Sequence, residues 1–131
     1  MRLLVTALLF VAGLFFVVTG TGFLLDPAVA GGDFGIGASG AQGLSSIRAD
    51  LTAFFWVGGL CMIWGAWKRN GDPLLVSAAL FAVALLGRAV SLMADGSYEG
   101  WWLPMGVETF TVLLCLAGWK LLPHRELAAE A

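Results

Sequence analysis

Charged residues are scarce in this sequence. Aspartate, glutamate, lysine and arginine make up 12% of its 131 residues, about half of the roughly 25% that is typical of soluble domains. Hydrophobic residues make up 60% of the chain, and the mean hydropathy is +0.90. The net charge of −2 leaves no basic surface of the kind that binds nucleic acid. These values exclude an ordinary soluble domain and indicate an integral membrane protein.

Histidine and cysteine, which supply many transition-metal ligands, are also rare. The single histidine, His124, follows the last apolar segment, so no histidine is placed to bind haem or chlorophyll at mid-membrane. The two cysteines, Cys61 and Cys115, fall inside apolar segments, and we interpret them as small buried hydrophobic residues. A disulfide or a soft-metal site is the alternative. We therefore predict no cofactor, no metal site and no catalytic residue.

Long apolar runs occupy most of the chain. About 20 apolar residues cross a bilayer core of roughly 30 Å. The predicted spans are residues 3–25, 47–67, 74–94 and 102–122. Residues 1–131 are thus predicted to form a single all-α domain, an up-and-down integral membrane bundle of four transmembrane helices. A signal peptide ending at Ala28-Val29-Ala30 is the alternative for the first run, which is longer than a typical signal-peptide core.

Residues 26–46 form a glycine-rich segment between the first two spans. The stretch Gly35-Ile36-Gly37-Ala38-Ser39-Gly40 matches the G-x-G-x-x-G motif of dinucleotide-binding proteins. That motif binds phosphate when it follows a strand and opens a helix, whereas here it follows a predicted membrane span. We interpret the segment as a flexible outer loop with room for a short re-entrant or interfacial helix, rather than as a phosphate-binding motif.

The distribution of lysine and arginine predicts the orientation, because loops rich in these residues stay in the cytoplasm. One side of the predicted bundle carries Arg2, Lys68, Arg69, Lys120 and Arg125. The other side carries Asp26, Asp33, Asp95 and Glu99, with Arg48 as its basic residue. Both termini are therefore predicted to be cytoplasmic, in a multi-pass protein of a cytoplasmic (inner) membrane.

Five ionisable residues lie in the outer halves of spans two to four: Arg48, Asp50, Arg88, Asp95 and Glu108. A charge within a span costs about 2.5–3.5 kcal/mol on insertion scales, so it is usually paired and often functional. Arg88 and Glu108 lie at similar depth, and we predict a contact between them, with Arg48 or Asp95 as a second neighbour. One interpretation is a structural ion pair that fixes helix register. The other is a cavity, open to the outer face, that binds a polar head group or an anion or relays a proton.

Several of these residues form a pattern that resembles a known family. The pattern consists of Ile47-Arg48 leading into Gly58-Gly59, then Gly87-Arg88-Ala89-Val90-Ser91 with Asp95-Gly96, and then Glu108. It is similar to an uncharacterised bacterial family of small four-span membrane proteins, domain of unknown function 4345. The family has a glycine after the span-two arginine, whereas Ala49 and Asp50 follow Arg48 here. The resemblance implies a four-helix membrane fold and carries no established activity.

The sequence leads us to expect a small non-enzymatic protein, an accessory or scaffolding subunit packed against a larger inner-membrane complex. One alternative is a bundle that binds a lipid or small ligand through Arg48, Arg88 and Glu108. Another is a membrane enzyme with Glu108 as acid or base. The expected partners are membrane lipids, together with a membrane protein or further copies of this chain, and nucleic acid is not expected.

Overall fold

The protein is described here by a computed structural model of residues 1–124. Within this range the chain is helical: α1 (Arg2–Leu25), α2 (Pro27–Asp33), α3 (Gly40–Ser46), a π-helical turn (Ile47–Leu51), α4 (Thr52–Lys68), α5 (Asp72–Asp95) and α6 (Trp102–Leu121). Four helical stretches are long and apolar enough to cross a membrane, namely α1, the continuous stretch Gly40–Lys68, α5 and α6. The predicted all-α membrane bundle is confirmed. Arg125, which contributed to the predicted orientation, and the C-terminal residue Ala131 lie outside the described residues.

Helices α1 and α4 pack most closely, because glycines let their backbones meet. A Cβ atom added to Gly13 would lie 2.7 Å from the carbonyl oxygen of Gly59, and one added to Gly59 would lie 2.6 Å from that of Gly13. Gly20, two turns further along α1, accommodates the indole of Trp56 in the same way. Small residues at such positions allow close helix contact in lipid, where no hydrophobic effect drives helices together.

Phenylalanines fill the core between α1, α4 and α5. The rings of Phe16 and Phe81 lie 4.5 Å apart between centroids, and Phe23 stacks on Phe55 at 5.6 Å with an interplanar angle of 7°. Phe34, which follows α2, packs 5.2 Å from Phe23. Each aromatic pair contributes about 0.5–1.5 kcal/mol beyond the apolar area that it buries. This cluster therefore closes the middle of the bundle and attaches the glycine-rich segment to it.

The glycine-rich segment contains two short helices, α2 and α3, where the sequence allowed for one short helix within a loop. Asp26 caps α2 by accepting a hydrogen bond from the Val29 N–H, and Pro27 occupies the first helical position, the position that suits proline. The motif at residues 35–40 connects α2 to α3, and residues 1–124 contain no strand. A dinucleotide-binding βαβ unit is therefore absent from this part of the chain.

Helix α5 has buried residues in its first half only. Its buried residues are Leu74, Ser77, Ala78 and Phe81, and none of its later residues is buried. Ser77 donates a hydrogen bond of 2.7 Å to the carbonyl oxygen of Gly58 and so links α5 to α4. Beyond Phe81 the α5–α6 pair separates from the α1–α4 pair. We call this end of the bundle, which carries residues 26–46 and 96–101, the loop end.

Candidate functional site

A charged pair joins α5 and α6 within the part of the bundle that separates. The Nε of Arg88 lies 2.7 Å from Oε1 of Glu108, a distance typical of a strong, charge-assisted hydrogen bond. Glu108 is buried, with 6% of its surface exposed, and the Arg88 side chain is 34% exposed. The contact predicted from the sequence between these two residues is confirmed.

Helix length explains why these two side chains meet. Arg88 lies seven residues before the end of α5 at Asp95, and Glu108 lies six residues after the start of α6 at Trp102. At 1.5 Å per residue, both lie roughly 10 Å below the loop end. The connection between the helices reverses the chain through Gly96 and Gly100, whose φ angles of 90° and 79° favour glycine.

The pair leaves hydrogen-bonding groups unused on both partners. Oε2 of Glu108 is inaccessible to solvent and has no hydrogen-bond partner within residues 1–124. The Arg88 guanidinium donates through Nε, and its two terminal nitrogens form no hydrogen bond with the same residues. Most buried polar atoms in proteins are satisfied, and an ionised carboxylate can accept about four hydrogen bonds. The pair is therefore incomplete as a purely structural ion pair.

A large cleft borders this pair, with a volume of about 1700 Å³. Small-molecule sites usually occupy roughly 300–1,000 Å³. Its lining is mostly apolar, and α1 and α4 contribute an aromatic wall of Phe15, Phe16, Phe54 and Phe55. On α5 the lining residues extend from Leu75 to Leu92, a distance of roughly 25 Å along the helix axis. The cleft is thus long, apolar and bordered by a single ion pair.

The loop-end rim of the cleft is acidic. Asp33 and Glu99 line it in addition to Arg88 and Glu108, and both of these rim residues are exposed. Three carboxylates and one guanidinium therefore border the space. Tyr98 and Trp101 line the same region, and such residues are typical of the polar boundary of a membrane.

Of the five charged residues predicted to form a cluster, Arg88 and Glu108 contact each other, and the other three lie apart from this pair. The Nε of Arg48 donates a hydrogen bond of 3.0 Å to the carbonyl oxygen of Leu24, and Asp95 accepts one of 2.9 Å from Ser91 on its own helix. Asp50 is exposed, and within residues 1–124 it forms no ion pair. The expected second neighbour of the pair, Arg48 or Asp95, makes no hydrogen bond or ion pair with Arg88 or Glu108.

The π-helical turn at Ile47–Leu51 explains why Arg48 does not lie beside Arg88 and Glu108 as predicted. A π-helical turn includes one more residue than an α-helical turn, so it rotates the preceding residues relative to those that follow. Thr52 and Phe55 are buried, whereas Arg48 is exposed. In an unbroken α-helix, Arg48, Thr52 and Phe55 would share one face.

Other parts of the cleft were not identified from the sequence. The phenylalanines of its aromatic wall cannot be distinguished from ordinary core residues by sequence alone. The rim residues Asp33 and Glu99 lie in segments that were predicted to be loops. The sequence did contain one signal of the cleft, namely a glycine, Gly87, next to the charged Arg88 at membrane depth. In the structure this glycine leaves open space beside the charge.

Cys61 and Cys115 are free thiols. Residues 1–124 hold no group of three or more potential metal ligands of the histidine, cysteine, aspartate or glutamate type.

Comparison with known proteins identifies a family. The family model described as domain of unknown function (DUF4345) matches residues 4–119, a range that includes the charged pair and every residue of the cleft. No curated protein and no solved structure matches the chain.

Proposed function

The chain belongs to the family described as domain of unknown function DUF4345, and we propose that it binds an amphiphile taken from the bilayer. In this proposal the apolar chain of the ligand lies in the cleft and its polar end contacts Arg88 and Glu108. The observation that carries it is the separation of α5 and α6 from α1 and α4 beyond Phe81, which leaves about 1700 Å³ beside a buried charge.

The dimensions of the cleft support an acyl chain as the apolar part of the ligand. One leaflet of a bilayer contributes about 15 Å of hydrocarbon, half of the roughly 30 Å core. The cleft extends roughly 25 Å along α5, from Leu75 to Leu92. Protein interiors are close-packed and contain few voids larger than a water molecule. A mostly apolar cleft of this size within the membrane-spanning helices is therefore suited to hydrocarbon from outside the chain.

Substituting a glycine that lines the cleft is a way to fill the cleft without disturbing the fold. Gly87 lines the cleft, Gly106 does not, and a Cβ atom added to either glycine would meet no atom within 4 Å. Each lies within a helix, where replacing glycine removes a penalty of roughly 0.5–1 kcal/mol relative to alanine. Gly87→Trp is thus expected to occupy the cleft, and Gly106→Trp is its matched control.

The test is the amphiphile content of protein purified in mild detergent and extracted into organic solvent for mass spectrometry. We expect wild-type protein and Gly106→Trp to carry a bound amphiphile at a fixed ratio per chain, and Gly87→Trp to lose most of it. Equal amphiphile content in all three proteins, or none in the wild type, would contradict the proposal. Circular dichroism and thermal unfolding would establish that both variants fold.

The other expectations from the sequence remain predictions. The role of accessory subunit has no separate support, because exposed apolar side chains on the spans are what contact with lipid alone requires. A catalytic role for Glu108 would need a substrate and a reacting partner that the pair itself does not identify. Location in a bacterial inner membrane likewise rests on the family resemblance and on the distribution of basic residues.

A further inference from the structure

Building on the proposed function, we infer the chemistry of the ligand's polar end. It is uncharged and carries both a hydrogen-bond donor and an acceptor, as do the glycerol hydroxyls and ester carbonyl of a monoacylglycerol. The observation behind this inference is the pair of unused groups on Arg88 and Glu108 beside the cleft.

The donor is required by Glu108. Its Oε2 is buried and lacks a partner within residues 1–124, while Oε1 already accepts from Arg88. A buried carboxylate oxygen without a hydrogen bond is strongly unfavourable in an apolar setting. Glu108 lines the cleft, and the terminal torsion of a glutamate side chain has a broad, soft energy profile. A hydroxyl group entering from the cleft can therefore donate to this carboxylate after a small rotation.

The acceptor is required by Arg88. Its side chain lines the cleft and is one-third exposed, and its terminal nitrogens have no acceptor in the described part of the chain. These nitrogens provide four further N–H donors in a fixed plane. An ester or hydroxyl oxygen at the polar end of the ligand would accept from them. The two requirements together describe one head group that contacts both residues.

The charges around the cleft disfavour head groups with a net charge. Arg88 and Glu108 already neutralise each other at 2.7 Å. An added anion would approach the carboxylates of Glu108, Asp33 and Glu99, all of which line the same space. An added cation on Glu108 would lie beside the guanidinium of Arg88. Either ion would also lose its hydration without gaining an unopposed partner.

The experiment compares four probes that share one oleoyl or oleyl chain and differ at the polar end. The probes are monooleoylglycerol, methyl oleate (which has acceptors and no donor), oleate and oleylamine, each titrated into delipidated wild-type protein and counted by native mass spectrometry. We expect monooleoylglycerol to bind at least about tenfold more tightly than methyl oleate, equivalent to 1.4 kcal/mol. The two ionic probes should bind more weakly than monooleoylglycerol.

A double variant tests whether the pair causes this preference. In Arg88→Leu/Glu108→Leu both charges are removed together, so no buried charge is left without its partner. We expect the affinity ratio of monooleoylglycerol to methyl oleate to fall close to one, while methyl oleate still binds. Comparing ratios removes differences in how the probes partition into detergent. If the double variant does not fold, the ranking of the four probes on wild-type protein still decides the inference.

The outcomes separate this inference from the proposed function. If monooleoylglycerol and methyl oleate bind equally to wild-type protein and Gly87→Trp blocks both, the cleft binds amphiphiles and the inferred head group is wrong. The same holds if oleate or oleylamine binds best. If Gly87→Trp affects none of the four probes, the proposed function fails as well.

Discussion

At the residue scale, the notable feature of the protein is that the two carboxylate oxygens of Glu108 differ in their hydrogen bonding. Oε1 accepts a short hydrogen bond from Arg88, and Oε2 is buried with no partner in residues 1–124. Arginine–carboxylate pairs frequently satisfy both carboxylate oxygens through bidentate contact, and this pair does not. The free oxygen, the unused guanidinium nitrogens and the adjoining cleft together favour a site that is completed by a ligand.

The pair also makes a prediction about stability. Glu108→Leu leaves the Arg88 charge without its partner, and breaking a buried pair in this way costs about 3–5 kcal/mol. Because Arg88 is one-third exposed, we expect a value near the lower end. The double variant Arg88→Leu/Glu108→Leu should be more stable than Glu108→Leu. Unfolding in mixed micelles of mild and denaturing detergent measures both, and a double variant less stable than the single one would contradict the argument.

At the scale of helices, the bundle combines one tight pair with one loosely attached pair. Gly13 and Gly59 bring α1 and α4 into backbone contact, and this pair forms the aromatic wall of the cleft. Helix α5 is buried only as far as Phe81. The difference between the two halves of α5 is therefore what creates the cleft.

Because α1 and α4 are in such close contact, we expect that adding a single methyl group between them has a strong effect on stability. A Cβ at Gly59 would meet the Gly13 carbonyl oxygen at 2.6 Å, and a backbone atom cannot move aside cheaply. We expect Gly59→Ala to destabilise the protein by about 1–3 kcal/mol, as overpacking does. Gly22→Ala is the control, because nothing lies within 4 Å of that position in α1. Equal melting temperatures for the two variants would show that α1 and α4 are not in close contact.

The helices and the charged pair could be predicted from the sequence, whereas the cleft could not. Bilayer thickness fixes the length of an apolar run, so the spans were recognisable, and equal depth brought Arg88 to Glu108. The position of Arg48 depends on the π-helical turn at Ile47–Leu51, which has no clear signature in the sequence. The cleft depends on how two helix pairs diverge, and hydrophobic patterning does not distinguish a side chain that faces a cleft from one that faces lipid.

At the scale of the whole molecule, the orientation of the bundle decides which leaflet supplies the ligand. The basic residues predict that the loop end faces away from the cytoplasm. In a bacterial host, with Cys61 and Cys115 replaced by alanine, a cysteine at Ser39 should react with an impermeant reagent in spheroplasts. A cysteine at Asn70 should react only after the membrane is opened. The reverse pattern of labelling would place the cleft in the cytoplasmic leaflet.

The central claim is that a neutral amphiphile occupies the cleft beside Arg88 and Glu108. The most direct measurement is photo-crosslinking with a monoacylglycerol that carries a diazirine on its acyl chain, followed by peptide mapping. We predict that the label concentrates on cleft-lining residues, including those between Leu75 and Leu92. Excess monooleoylglycerol should compete with it, and Gly87→Trp should abolish it. Labelling spread evenly over the lipid-facing residues of all four spans, unaffected by competitor or variant, would contradict the claim.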